Sequence, residues 1–406
     1  MNPYCLAANT FEDDEIKAAK AALDSGRLTF GERIVAFEAA FAAWTGARHA
    51  VMVNSGSSAN LLAVDVMLRR SRGEAPWAPG DEVLVPALSW PTTVWPIVQL
   101  GLVPVFVDVD PDTLAISLES AASALSPRTK GMFLIHVLGR VPNMDAYMAF
   151  CARHGITLLE DTCESLGGHH AGVHAGNFGL LGTFSFYFSH HVSTIEGGMI
   201  VTGDDAVRDD LRSLRSHGWI RDRSDRATWT SEHPEVDERF MFVMPGYNVR
   251  ATEIQGAIGQ IQLQRLDGML ERREALARKV RDWLAKSAPW LRLVGADQLP
   301  GENQPVARRA RTHSWMTLPL MLDAGAPLGA PGLRAFFAER DVESRPIIAG
   351  NLARHPASRR IKSRSAASLA RCDEVFTRGL MLGCHPVPTP GSIETLENAI
   401  AALARL

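Results

Sequence analysis

Lysine is scarce in this chain: the only lysines are at positions 17, 20, 130, 279, 286 and 362, so residues 131 to 278 contain none. The 5 cysteines are odd in number and no two form a CxxC pair, so we expect neither a disulfide framework nor a zinc site. That cysteine usage is typical of a reducing, cytoplasmic compartment. No apolar run approaches the roughly 18 residues of a membrane span, and the polar N-terminus lacks a signal-peptide pattern.

The chain also lacks a strong excess of acidic or basic residues, since its formal net charge is only −3. This balance gives no general attraction to nucleic acid or to a membrane surface. Two short basic runs occur, at 308–311 and 359–364, and we expect both to be solvated surface. No cluster of histidine, cysteine and carboxylate residues has metal-ligand spacing, so no metal is expected.

Hydrophobic residues make up 46% of the 406 positions, which is enough for a sizeable core. Short, nearly continuous apolar runs, typical of buried parallel strands, alternate with helix-compatible stretches such as Ala59 to Arg70 and Met144 to His154. These runs are VLVP at 83–86, PVFVDVD at 104–110, GMFLIHV at 131–137 and ITLLED at 156–161. The pattern predicts an α/β fold with a mainly parallel sheet flanked by helices.

The character of the chain changes near residue 250. Residues 252–285 are rich in helix formers and predict one long helix, followed by a loop at 299–311 and a mixture of strand and helix patterns. We therefore predict a large α/β domain over residues 1–250. Residues 251–406 would supply a long linking helix and a smaller C-terminal α+β domain.

Two motifs in the N-terminal third suggest a cofactor site, and the second of them follows the predicted strand at 83–86. In NSGSSANLL at 54–62, Ser57 or Ser58 is suited to cap a helix, and backbone N–H groups at a helix start can bind phosphate. An ordinary capped helix is the competing interpretation. In SWPTT at 89–93, Trp90 stands where ligands bind open α/β sheets and could stack on a flat cofactor. A core tryptophan is the alternative.

Two further motifs carry ionisable groups. In LLEDTCESLGG at 158–168, Asp161 ends a buried strand and could pair with a protonated pyridine nitrogen, or merely cap the next turn. In the segment 183–202, Ser185 is a candidate phosphate ligand. His190 and His191 follow in a polar turn, where packing alone explains them poorly.

A last motif, MPGYNVRATEIQ at 244–255, leads into the predicted long helix. Arg250 could clamp a carboxylate or phosphate, or form a surface salt bridge.

Together and in this order, the motifs resemble the DegT/DnrJ/EryC1/StrS family of nucleotide-sugar aminotransferases, which depend on pyridoxal 5′-phosphate (PLP). The resemblance covers nearly the whole chain and implies fold type I of the PLP-dependent transferases, the aspartate aminotransferase-like fold. In that family, the segment between FSF and EGG contains the lysine that binds PLP covalently. Here FSF at 184–186 leads to His190, which also lies six residues before Glu196.

The exchange of lysine for His190 resembles a subgroup of this family, the nucleotide-sugar 3-dehydratases. It implies non-covalent PLP that cycles through pyridoxamine 5′-phosphate (PMP), with L-glutamate as amino donor and His190 as catalytic base. The implied reaction removes the C3 hydroxyl of an NDP-4-keto-6-deoxyhexose, with GDP-4-keto-6-deoxy-D-mannose of colitose synthesis as the favoured substrate. Ammonia and a 4-keto-3,6-dideoxy sugar would be released. Related iron–sulfur enzymes need four cysteines after EGG, and only Cys372 and Cys384 follow here, so no cluster is expected.

The resemblance also assigns roles to other residues. Gly56, Ser57 and Ser185 would bind the cofactor phosphate, and Asn248 would reach it from a neighbouring subunit of a homodimer. Asp161 would bind the ring nitrogen, Trp90 would stack on the ring, and Glu164 would lie near its hydroxyl. Arg250 and His217 would bind glutamate or the sugar substrate. Two alternatives stay open: a nucleotide-sugar aminotransferase, and a non-catalytic PLP-binding paralogue.

Overall fold

The computed structural model describes residues 2–70, 77–299 and 307–406. The helices, in chain order, are α1 Asp13–Asp24, α2 Glu32–Thr45, α3 Gly56–Asp65, α4 Pro91–Gln99, α5 Leu118–Ala124, α6 Met144–His154, α7 Asp205–Leu214, α8 Arg226–Glu232, α9 Glu253–Ser287, α10 Ala330–Ala338, α11 Ala370–Arg378 and α12 Ser392–Ala402. The strands are β1 His49–Val53, β2 Glu82–Pro86, β3 Val103–Val107, β4 Thr129–Ile135, β5 Thr157–Asp161, β6 His169–His170, β7 Val173–His174, β8 Leu181–Ser185, β9 Gly198–Thr202, β10 Leu291–Leu293, β11 Thr317–Leu322, β12 Ser344–Arg345, β13 Arg364–Ser365 and β14 Gly379–Gly383.

The large sheet has the strand order β1-β9-β8-β5-β4-β2-β3-β13. Its strands from β8 to β13 pair in parallel, whereas β9 runs antiparallel to both β8 and β1. A second, antiparallel sheet has the order β10-β11-β14-β12. The predicted α/β class with a mainly parallel sheet is therefore confirmed.

Alternation along the strands divides the buried side chains between the two faces of the large sheet. Val83 and Val85 of β2 join one apolar cluster, and Leu84 between them joins another on the opposite face. Covered on both faces, such strands read as continuous apolar runs, which is why the sequence revealed them. A separate core surrounds the second sheet and includes Tyr4, whose backbone bonds to that of Asp341.

The predicted helix at 252–285 is confirmed as α9, which begins after a capping box formed by Thr252 and Gln255. Helix α6 has the predicted ends. Helix α3 differs from the expected stretch from Ala59 to Arg70, because it spans Gly56–Asp65. Among the described helices, none combines the length and apolar character needed to cross a bilayer.

The basic runs are only partly solvated, which corrects the expectation that both are surface. Arg311 is 4% exposed, and Arg364 lies in β13, where its guanidinium bonds to the buried carboxylate of Glu82 at 2.6 and 2.8 Å. An arginine that finds a buried carboxylate joins the interior as an ion pair, and local sequence does not reveal that partner. Of the predicted loop at 299–311, residues 300–306 lie outside the described part, and Arg308–Ala310 form a 3₁₀ turn.

The domain division at residue 250 stays a prediction. Several contacts cross it. Strand β13 from the C-terminal part completes the edge of the large sheet, Tyr4 from the N-terminus packs in the second core, and the Glu253 carboxylate of α9 accepts from the N–H groups of Gly31 and Ile34.

Candidate active site

A cavity of about 710 Å³ opens at the carboxyl ends of the parallel strands, the edge where open α/β sheets bind ligands. The sheet delivers Asp161 from the end of β5 and Ser185 from the end of β8. The second sheet closes the other side with Thr317 and Arg345. The sequence-predicted residues that line this cavity are Gly56, Ser57, Trp90, Asp161, Glu164, Ser185 and His190.

The start of helix α3 faces this cavity. Its N-cap is Ser55, whose Oγ accepts from the Ser58 N–H at 3.1 Å, so the expectation that Ser57 or Ser58 caps the helix is wrong. Ser57 is exposed, and its N–H belongs to the first turn, which has no intrahelical acceptor. A Cβ on Gly56 would lie 2.5 Å from the Cβ of Ser185, so glycine lets the helix start approach β8. The arrangement suits a phosphate.

Trp90 is the N-cap residue of α4 and is 57% exposed at the cavity. The competing interpretation as a core tryptophan is therefore wrong. An indole ring left open beside a cavity is available to stack on a flat ligand.

Asp161 is 4% exposed and accepts three hydrogen bonds. Asn60 Nδ2 and Thr93 Oγ1 donate to Oδ2 at 2.9 and 2.7 Å, and the Cys163 N–H donates to Oδ1 at 3.1 Å. No lysine, arginine or histidine of the described residues forms a salt bridge with it. A buried carboxylate with donors but no cation fits a site whose cation arrives with a ligand.

Glu164 follows on the same loop and lines the cavity. Its Oε2 accepts from the Leu138 N–H at 2.8 Å, and Leu138 has a left-handed backbone with φ 52°. Burial raises the pKa of Glu164 to about 7, and the nearby Asp161 charge adds to this effect. Glu164 can therefore exist in either protonation state near neutral pH.

His190 faces the cavity, and its Nδ1 lies 2.6 Å from the carbonyl oxygen of Cys163. Because a carbonyl only accepts, Nδ1 must carry the proton, and the neutral ring presents the lone pair of Nε2. Burial lowers the pKa of His190, although its bond to the Cys163 carbonyl and the Asp161 charge oppose that effect. Its neighbour His191 points elsewhere: it is 1% exposed and bonds through Nε2 to the Ser314 carbonyl at 3.0 Å.

Three predicted residues lie outside this cavity within one chain. Asn248 and His217 are exposed and close in the fold, since Asn248 bridges to Ser216. Arg250 lines a second cavity of about 310 Å³, where it donates to Ser216 Oγ at 2.9 Å and its guanidinium lies 4.7 Å from the centre of the Phe30 ring. It forms no salt bridge with a described carboxylate. Their roles stay predictions.

Sequence reasoning overlooked several residues of the cavity. Asn60 and Thr93 lie inside two of the motifs it used, but their bonds to Asp161 span 101 and 68 residues of sequence. Arg345 is the one arginine or lysine among the described residues that line the cavity. Its guanidinium bonds to Glu343 Oε1 at 3.0 Å, while Glu343 Oε2 accepts from the Leu6 N–H at 3.0 Å. The sequence around Arg345, VESRPI at 342–347, contains no motif that identifies this arginine as part of a site.

Within the described part of the chain, no three histidine, cysteine or carboxylate side chains come together as a metal-ligand set.

Comparison with known proteins gives consistent results over the whole fold. A protein from Escherichia coli O55:H7 described as GDP-4-keto-6-deoxy-D-mannose 3-dehydratase is 37% identical, over 98% of this chain and 100% of that protein. The protein of the same description from Yersinia pseudotuberculosis is 34% identical, over 98% of both chains. A solved structure of GDP-4-keto-6-deoxymannose-3-dehydratase with a trapped PLP-glutamate geminal diamine matches with a TM-score of 0.87 at 34% identity, over 98% of this chain and 100% of that one.

Residues 9–401 match the sequence model of the DegT/DnrJ/EryC1/StrS aminotransferase family. That match agrees with the resemblance inferred from the motifs, and the neighbouring structures share the fold type predicted from it. The chain therefore belongs to the DegT/DnrJ/EryC1/StrS aminotransferase family.

Proposed function

We propose that this protein is a PLP- and PMP-dependent nucleotide-sugar 3-dehydratase. It removes the C3 hydroxyl of an NDP-4-keto-6-deoxyhexose, with GDP-4-keto-6-deoxy-D-mannose as the preferred substrate, and uses L-glutamate as amino donor. Glutamate loses two electrons on becoming 2-oxoglutarate and ammonia, and the sugar gains two on losing its hydroxyl. The reaction therefore balances without a further reductant. The dehydratase names of its relatives support the assignment.

The cavity fits the cofactor at three points. The start of α3 offers free N–H groups to a phosphate, beside the Ser185 hydroxyl. Trp90 presents an exposed indole face, and Asp161 is a buried carboxylate that forms no salt bridge with a cation of the described ranges. When bound, the cofactor would supply an electron-accepting pyridinium ring. Asp161 would hold its ring nitrogen, and Glu164 would lie near its hydroxyl.

One observation carries the proposal: His190 lines a cavity whose described lining contains no lysine, and its Nδ1 is bonded to the Cys163 carbonyl, which leaves the lone pair of Nε2 as the base. An imidazole does not form the stable covalent link to an aldehyde that a lysine amine forms, so the cofactor is held by non-covalent contacts. The lowered pKa of His190 keeps Nε2 unprotonated near neutral pH, ready to take a proton from a carbon acid. The histidinium so formed can return that proton to the departing C3 hydroxyl.

The substrates are anions, and Arg345 is the cation that the cavity offers them. Its guanidinium can bind a diphosphate or a carboxylate in bidentate fashion. The bond to Glu343, itself held by the Leu6 N–H, fixes the direction in which that guanidinium approaches the cavity.

A homodimer would complete the site, with Asn248 reaching the cofactor phosphate of the neighbouring subunit and with His217 and Arg250 contributing to substrate binding. Exposed aromatic side chains support such an interface: Phe240 is 65% and Phe242 is 53% exposed in the segment before Asn248. A reducing cytoplasm is the proposed location, supported by cysteines that are all unpaired.

The test is mass balance. The enzyme is incubated with PLP, L-glutamate and, in parallel, GDP-, CDP- and dTDP-4-keto-6-deoxy sugars. We expect the GDP sugar to give 2-oxoglutarate, ammonia and a 3-deoxygenated ketosugar in equal amounts. A stable aminosugar with no ammonia would instead identify an aminotransferase. The absence of reaction with all three nucleotide sugars would favour a non-catalytic PLP-binding protein.

A further inference from the structure

Two neutral side chains, Thr183 and Asn60, form a chain of hydrogen bonds that ends at Asp161 and has one possible direction. Asn60 Nδ2 lies 3.2 Å from the Thr92 carbonyl oxygen, which can only accept, so this end of the amide must be the NH₂ group. The same NH₂ group donates to Asp161 Oδ2 at 2.9 Å. The amide oxygen at the other end accepts from the Thr183 hydroxyl at 2.6 Å. Each hydrogen bond in the chain is therefore donated in the direction of Asp161, from Thr183 to Asn60 and from Asn60 to Asp161.

Thr93 adds a second donor to the same carboxylate oxygen, with its hydroxyl 2.7 Å from Asp161 Oδ2. Burial isolates the whole group from water, since Thr183, Thr93 and Asn60 are 0%, 1% and 2% exposed. In such surroundings the loss of one donor leaves the carboxylate without a hydrogen bond that water cannot replace, so the free-energy cost of removing that donor is large. Because both groups donate to Oδ2, the arrangement suits a carboxylate oxygen at that position, which accepts, and not the hydroxyl of a carboxylic acid, which donates.

We propose that Thr183, Asn60 and Thr93 form a relay that keeps Asp161 ionised and oriented, so that a proton shared with the cofactor resides on the pyridine nitrogen. The inference rests on the proposed function and identifies these three as positioning residues, which act through Asp161. Donors to a carboxylate lower its proton affinity, so removing one shifts the shared proton from the ring nitrogen to Asp161. A neutral pyridine is a poorer electron sink than a pyridinium, so C–O cleavage slows.

The experiment uses full-length protein loaded with PLP that carries ¹⁵N in its ring. The nitrogen chemical shift separates pyridinium from neutral pyridine, and this readout needs no turnover. Thr93→Val removes one donor at constant shape. Thr183→Val acts one bond further from the carboxylate, and Thr93→Ser restores the hydroxyl.

We expect Thr93→Val to move the nitrogen signal toward neutral pyridine and to lower kcat about 10- to 100-fold, the loss for one hydrogen bond to a charged group. KM for glutamate should change much less. Thr183→Val should produce a smaller shift in the same direction, and Thr93→Ser should recover the wild-type signal.

Thr202→Val is the matched control, because Thr202 is a buried threonine of β9 whose hydroxyl donates to the Leu180 carbonyl at 2.8 Å, away from the cavity. It should leave the nitrogen signal and kcat unchanged. A pyridinium signal in wild type that persists in Thr93→Val and Thr183→Val, with kcat within threefold, overturns the relay alone. Wild-type protein that fails to bind PLP overturns the proposed function as well.

Discussion

The substitution His190→Asn tests the assignment of the catalytic base. An asparagine amide can still donate to the Cys163 carbonyl, which accepts from His190 Nδ1 at 2.6 Å, so the loop geometry should survive. What disappears is the lone pair of Nε2 and with it a base of suitable pKa. General base catalysis contributes about 10²- to 10⁴-fold, so we expect kcat to fall by that factor, or about 3 to 5 kcal/mol in barrier height.

The assay follows each half of the reaction. Absorbance reports the conversion of PLP to PMP by glutamate in a single turnover, and chromatography reports loss of the C3 hydroxyl. We expect both halves to slow, because each requires proton transfer at the same cofactor carbon. PLP affinity should change little. His49→Asn, at the start of β1 and outside both cavities, is the control and should retain wild-type rates.

The pH profile adds a second criterion. Wild-type kcat/KM should rise with pH as His190 loses its proton, with a midpoint below the ordinary histidine value of about 6.5, because burial lowers this pKa. The limb should vanish from the residual activity of His190→Asn. Turnover within threefold of wild type, or an unchanged acid limb in the variant, would refute the base assignment.

Three further outcomes are expected. Arg345→Gln should raise KM for the nucleotide sugar at least about tenfold with little change in kcat, whereas Arg354→Gln, an equally exposed ion-paired arginine outside the cavity, should not. Gly56→Ala should weaken PLP binding at least about tenfold in a fluorescence titration, because its Cβ would lie 2.5 Å from a side-chain carbon of β8; Gly203→Ala, with nothing within 4 Å, should bind normally. His169 is buried and its pKa is lowered to about 4 by that burial, so the unfolded chain takes up its proton first as pH falls. Between pH 6.5 and 4 this histidine should cost about 1.4 kcal/mol of unfolding free energy per pH unit, and urea titrations of His169→Gln should show a correspondingly shallower loss.

The sheet and the long helix could be predicted because their signals are local. Strands buried on both faces are continuous apolar runs, so β2, β4 and β5 were found to within two residues at each end. The cap of α3 was misplaced because the motif holds serines at three nearby positions, and only the backbone turn selects Ser55. Local composition also missed the short strand β13, whose placement depends on the distant carboxylate of Glu82.

The site was predictable only where a residue's neighbours in sequence suggest its chemistry. Asp161 and His190 were found because each follows a strand-like run and carries an ionisable group in an unusual place. Asn60 and Thr93 were missed because their function depends on a carboxylate far along the chain. Asn248 shows the opposite limit: its predicted role requires a second subunit, and a single chain leaves it exposed outside the cavity.

The most direct test of the central claim is to reduce PLP-loaded protein with borohydride and to map the labelled peptide by mass spectrometry. If position 190 faces the reactive carbon of the cofactor, His190→Lys should capture PLP there in a reducible covalent bond, while wild-type protein should carry no label. Label on one of the native lysines of the wild-type protein, or none at position 190 of the variant, would contradict the account.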